Sequence, residues 1–151
     1  MWDRQRRDAE GDDRLGICPR SGGWSAASQY DSPDLGHDIT EAESGRVVVT
    51  AEPKDIHLNP AGTVHGGLAA TMLDSCMGLA IQSTLEKGLG STTLEFKISF
   101  VRAITPDTGP IKAEGTVISR GRRIGAAEGR VTDSKERLLV RGTTTCLIFE
   151  S

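Results

Sequence analysis

One stretch of this chain places reactive groups at a spacing that could do chemistry: Asn59-Pro60-Ala61-Gly62-Thr63-Val64-His65-Gly66-Gly67, followed by an apolar run with a single acid, Asp74. From Leu68 to Ile81 nearly every residue is apolar or small. A run of that length, unbroken by proline, predicts a buried helix rather than a strand or a membrane span. A carboxylate in such a helix can serve as nucleophile or general base. It can equally belong to a solvated polar face. At about 100° per residue, Thr71, Asp74, Ser75, Gly78 and Gln82 share one side. Gly66-Gly67 opens the helix, although each glycine costs about 0.8–1 kcal/mol relative to alanine. Glycine suits a place where something approaches the backbone closely, and unpaired N–H groups at a helix start suit an anion or a polarised carbonyl oxygen. Relief of crowding is the other reading.

Distance constrains how these groups combine. Gly66 and Asp74 are eight residues apart on one helix, so about 12 Å apart. An acyl carbon needs its oxyanion donor and its attacking group within about 3–3.5 Å. One helix cannot supply both. If both act, they come from two chains across an antiparallel helix pair, and a monomer is inactive.

His65-Gly66-Gly67, with Asn59 six residues before the histidine and Asp74 nine after it, resembles the PaaI-like acyl-CoA thioesterases of the hotdog fold. The resemblance covers about Gly36 to Phe149. It implies an α+β fold in which one long central helix is wrapped by a curled antiparallel β-sheet, and a homodimer, or a dimer of dimers (homotetramer), with sites at the subunit interface. It also implies hydrolysis of an acyl-CoA thioester, with coenzyme A as part of the substrate and no separate cofactor. By position, the Gly66 N–H polarises the carbonyl and Asp74 of the other chain attacks it or activates water. Asn59 orients water or substrate, His65 shapes the carbonyl end, and Gly67 belongs to the substrate-binding turn. Thr93 falls where related enzymes place a Ser or Thr that helps hold the water; it can also be a plain β-branched strand residue. The aryl-type 4-hydroxybenzoyl-CoA enzymes carry glutamate as the acid and threonine four residues on. Here these are Asp74 and Gly78, which favours the aspartate branch.

The elements that must position these groups follow from turn and strand signals. Asp38–Ala42 and Arg46–Glu52 read as a hairpin around Glu43-Ser44-Gly45. A loop leads to Val64 and the helix runs to about Lys87, stopped by Gly88-Leu89-Gly90. Ser91–Arg102 alternates, with Leu94, Phe96, Ile98 and Phe100 expected on one face. Ile111–Ser119, Ile124–Thr132 and Leu138–Phe149 are the remaining strands. Residues 1–35 read as a poorly ordered or loosely packed arm, and 36–151 as the domain. His37 and His57 are expected on surface loops. Arg120, Arg122 and Arg123 sit at a strand turn; guanidinium forks suit the phosphates of a nucleotide, and an ordinary solvated hairpin tip is the alternative.

Composition excludes several classes. A net charge of −3 and 4% aromatic residues leave no footprint for nucleic acid. Three cysteines without paired spacing give neither a disulfide framework nor a zinc site. No apolar leader and no span of about 18 apolar residues are present, so the expected location is the cytoplasm and no membrane partner is expected. Two other functions fit the same pattern: a hotdog dehydratase or hydratase on acyl-CoA or acyl carrier protein, and a non-catalytic acyl-CoA binding module. Asp74 weighs against the last, because a buried acid is costly without work or a partner.

Overall fold

The computed structural model describes residues 35–150; apart from Leu35, the expected N-terminal arm lies outside them. In chain order the elements are β1 (Asp38–Glu43), β2 (Arg46–Ala51), α1 (Gly66–Gln82), β3 (Leu89–Phe100), β4 (Ile111–Arg120), β5 (Ile124–Asp133) and β6 (Leu138–Glu150). The strands form one antiparallel sheet in the order β1-β2-β4-β5-β6-β3. The helix packs against every strand from β2 to β6, so the sheet curls around it as expected. β1 and β3 are the two edges.

Packing, rather than propensity, makes this helix. Leu68, Met72, Leu73, Cys76, Met77 and Ile81 are buried against Val47, Val49, Ile111, Ala113, Val131 and Val140. Burying one such side chain is worth about 1.5–3 kcal/mol, which offsets a helical glycine. The frequent glycines do more than form turns. A Cβ on Gly115 of β4 would meet the Cys76 carbonyl oxygen and come within 2.7 Å of the Met77 nitrogen. The strand backbone lies directly on the helix backbone there, and only glycine allows it.

The helix ends at Gln82, five residues before the expected stop. The Ser83 and Thr84 hydroxyls donate to the carbonyls of Ala80 and Ile81 at 2.6 and 2.7 Å, taking over the acceptors of the last turn. Gln82 then ties the chain to the start of β3. Its amide oxygen accepts from Ser91 N–H at 3.0 Å, and its amide nitrogen donates to the Leu89 carbonyl at 3.3 Å. Leu85 remains buried beyond the helix end, which is why the apolar pattern overruns it. Among the described residues no helix is long and apolar enough to cross a membrane.

Candidate active site

The curled sheet leaves one strip of α1 uncovered between its two edges. Thr71, Asp74, Ser75, Gly78 and Gln82, the face expected from spacing, are all half-buried, whereas their neighbours Met72, Leu73, Cys76 and Met77 are buried. Each side of the strip is tied to a sheet edge. On the β3 side, the Thr93 hydroxyl donates to Asp74 Oδ1 at 2.8 Å. That bond fixes the carboxylate's rotation and leaves its other oxygen without a partner among the described residues. On the β1 side, His37 Nε2 lies 3.1 Å from Ser75 Oγ.

Thr93 reaches the helix because β3 is irregular. Thr93 pairs with Cys146, Glu95 with Thr145 and Phe96 with Thr144, so Leu94 is an extra residue in a β-bulge. Cys146, Thr144 and Val140 are buried towards the helix, and their partners Thr93, Phe96 and Phe100 therefore share that side. The expected alternation holds for Phe96, Ile98 and Phe100 but not for Leu94, which the bulge takes out of the series and leaves 55% exposed. Because β3 is an edge, Phe96 and Phe100 are only partly covered, at 37% and 58% exposed. They give the strip an apolar wall.

At the helix start, a Cβ on Gly66 would come within 2.8 Å of the Phe100 ring. The close approach that requires glycine is thus made by an aromatic of the same chain. The Gly66 N–H has no acceptor among the described residues. The next amide is occupied: His65 caps the helix, its Nδ1 accepting from Gly67 N–H at 3.0 Å, which puts the proton of the neutral ring on Nε2. Asn59 shapes the loop leading in. Its side-chain oxygen accepts from Ala61 N–H at 2.9 Å and Thr63 N–H at 3.3 Å, and its amide donates to the Thr63 hydroxyl at 2.9 Å. This is an Asx-type turn that sets the path into Gly66.

The structure thus brings Asp74 and Thr93 together. Asn59, His65, Gly66 and Gly67 gather at the helix start, and the two groups do not meet within one chain. Arg120, Arg122 and Arg123 are exposed at the β4–β5 turn, and none pairs with an acid among the described residues. That turn lies at the other end of α1, since a Cβ on Gly125 would meet Ile81 at 2.7 Å. His57 is half-buried, its Nδ1 accepting from Lys54 N–H at 2.9 Å. His37 is no surface residue: it is 5% exposed. Its place directly before the β1 run was the only sequence signal for that. Phe100 on Gly66 had none, because the contact joins residues 34 positions apart. A depression of about 650 Å³, lined by Lys97, Glu114, Glu128, Arg130 and Arg141 among others, opens on the outer face of the sheet, away from Asp74.

Neither described cysteine adds a nucleophile. Burial pushes the Cys76 thiol up to about 12 and raises that of Cys146, and the thiolate is the reactive form.

The family model for the thioesterase superfamily matches residues 61–140, 80 of the 151, a span that holds Gly66, Asp74 and Thr93. The chain belongs to the thioesterase superfamily. A Halobacterium salinarum protein that carries an esterase name is 33% identical over 99 residues, covering 62% of this chain and 64% of that protein. Human acyl-coenzyme A thioesterase 13 is 30% identical over 63 residues, 42% of this chain and 44% of the human one. The alignments thus span less than two thirds of both curated relatives. Among solved superfamily-like folds, a Streptococcus mutans protein bound to acetyl CoA superposes with a TM-score of 0.69 at 28% identity, covering 76% of this chain and 90% of the other. Escherichia coli PaaI superposes with a TM-score of 0.74 at 21% identity, covering 82% and 90%, and so shares the hotdog fold.

Proposed function

We propose that this protein hydrolyses an acyl-CoA thioester to the free acid and CoA, in the cytoplasm, as a homodimer whose active sites each draw on both subunits. The observation that carries the reading is the Asp74 carboxylate, steered by Thr93 into the uncovered strip of a superfamily helix whose far end presents the Gly66 N–H. Water adds to the thioester carbonyl, the C–S bond breaks, and the CoA thiolate leaves and takes up a proton. Asp74 either removes the proton of that water or attacks first, forming a mixed anhydride that water then opens; both routes use the same groups. The Gly66 amide at the helix start stabilises the oxyanion. Asn59 and His65 build the turn that aims this amide.

The two-chain arrangement follows from the axial distance of about 12 Å between Gly66 and Asp74. It is supported by β3, a 12-residue edge strand with Leu94, Phe96 and Phe100 exposed, which is a surface that pairing with a second copy would cover. Two such dimers then form the tetramer. In an antiparallel helix pair that sets Gly66 of one subunit opposite Asp74 of the other, the arginine turn lies about 10 Å along the axis from Asp74 of its own chain. Asp74 and Arg120, Arg122 and Arg123 thus serve one site from one chain, with the arginines on the CoA phosphates. Gly66, Gly67, His65 and Asn59 come from the partner.

Subunit mixing tests this. Asp74→Asn and Asn59→Ala homodimers are each deficient at both sites. After exchange, one site of every heterodimer carries both lesions and the other carries neither. Thiol release should rise towards about a quarter of wild type for random exchange at equal amounts, provided the sites are independent. Activity fixed at the parental average, with exchange proven by mass, would place all the groups in one chain.

A further inference from the structure

The His37–Ser75 side of the strip has no role in the reading above, yet its hydrogen bonding is unusual. His37 is 5% exposed, and its Nδ1 is buried with no hydrogen-bond partner among the described residues. Its Nε2 is 3.1 Å from Ser75 Oγ. Ser75 also differs from the other hydroxyls on its helix and just beyond its end. Thr71 donates to the Gly67 carbonyl at 2.9 Å, and Ser83 and Thr84 donate to carbonyls three residues back. No helix carbonyl among the described residues receives the Ser75 proton.

Three proton arrangements of the pair are conceivable, and their costs separate them. If Ser75 donates to Nε2, the ring proton sits on Nδ1 and a buried N–H is left unpaired. If the ring is doubly protonated, that unpaired N–H also carries charge, which is costlier still. If Nε2–H donates to Ser75 Oγ, only a lone pair on Nδ1 is left unpaired, and orphaned buried acceptors are tolerated better than orphaned N–H groups. The last arrangement is the cheapest. Ser75 then accepts from the ring, and its own proton is aimed away from His37, into the uncovered strip beside Asp74.

We infer that Ser75 is a second donor to the thioester carbonyl oxygen and that His37 is the positioning residue that turns the hydroxyl towards it. This rests on the hydrolase reading and on its helix pair. With Gly66 of the partner subunit opposite Asp74, the residue after Asp74 is at the height of that helix start, where the carbonyl oxygen is held. A single amide makes a thin oxyanion site, and the Ser75 hydroxyl completes it.

The test is steady-state thiol release from a panel of straight-chain and aryl acyl-CoA esters by the full chain. Ser75→Ala should lower kcat by roughly 10²-fold with little change in KM, the scale of one lost oxyanion donor. His37→Leu should do nearly the same, and His37→Gln, which keeps an N–H near the Nε2 position, should recover most of the loss. In a double-mutant cycle His37→Leu should add almost nothing on top of Ser75→Ala. If His37→Leu does not fold, the Ser75→Ala result and the His37→Gln comparison decide. Ser75→Ala within about twofold of wild type while Asp74→Asn is inactive would overturn this inference and leave the hydrolase reading standing. So would independent, additive losses at the two positions. Absence of thiol release by the wild-type protein on every ester would overturn both.

Discussion

Cys76 and Ser75 are adjacent on α1 and live under different rules. The Cys76 side chain is fully buried, its thiol donates to the Leu73 carbonyl at 3.4 Å, and the backbone of Gly115 presses on its own carbonyl. Ser75 and Asp74 face the uncovered strip, and among the described residues each side chain has one hydrogen-bond partner, His37 just before β1 and Thr93 of β3. Volume decides what fits on the buried side. On the open side direction decides, because each polar group is held by one partner and keeps a second valence free. Stability and chemistry are thus written on two sides of one helix, and substitutions should separate them.

The largest separation should come from Asp74→Asn. Losing a base or nucleophile lowers kcat by about 10²–10⁴-fold, while an isosteric change on the uncovered strip should leave Tm nearly where it was. Thermal unfolding of the same preparation used for thiol release checks this, and a large fall in Tm would show the acid to be structural. Gly115→Ala should do the reverse. The added methyl meets backbone that cannot move aside, so a cost of about 1–3 kcal/mol and a Tm lower by roughly 2–8 °C are expected, with kcat per folded molecule unchanged. Lost turnover at unchanged Tm would break the comparison from the other side. The smallest effect should come from Arg122→Ala with Arg123→Ala, which lies outside the helix altogether. KM for CoA esters should rise about tenfold and kcat stay level, with no change for short thioesters that lack the nucleotide. Equal losses on both substrate types would make the turn structural.

The strands, the α+β class and the polar face of the helix were legible in the sequence, because each rests on a local period or turn signal. Ile111, Ile124 and Leu138 begin strands where expected. What was not legible depends on contacts between distant positions. The helix stop at Gln82 depends on side chains that bond back to the last carbonyls while Leu85 continues the apolar pattern. Burial of His37 depends on Ser75, 38 residues away. Among the site residues, Asp74 stood out as a lone acid in an apolar run. The work of Asn59 in holding its own turn becomes visible only when the donors from Ala61 and Thr63 are in place.

Leu94 makes an unusually light demand on the gene. Its side chain belongs to neither row of β3, so many residue types should serve at that position. Its presence in the count matters no more to the facing of the strand. Without it Thr93 would stand two positions before Phe96, on the same side, as the pairing already places them, so Asp74 would keep its partner and the strip its aromatic wall. A codon deletion at 94 should therefore do far less damage than one at 97, which would turn Phe96 and Phe100 to opposite sides. A gap at this place in alignments of such chains leaves the site in register.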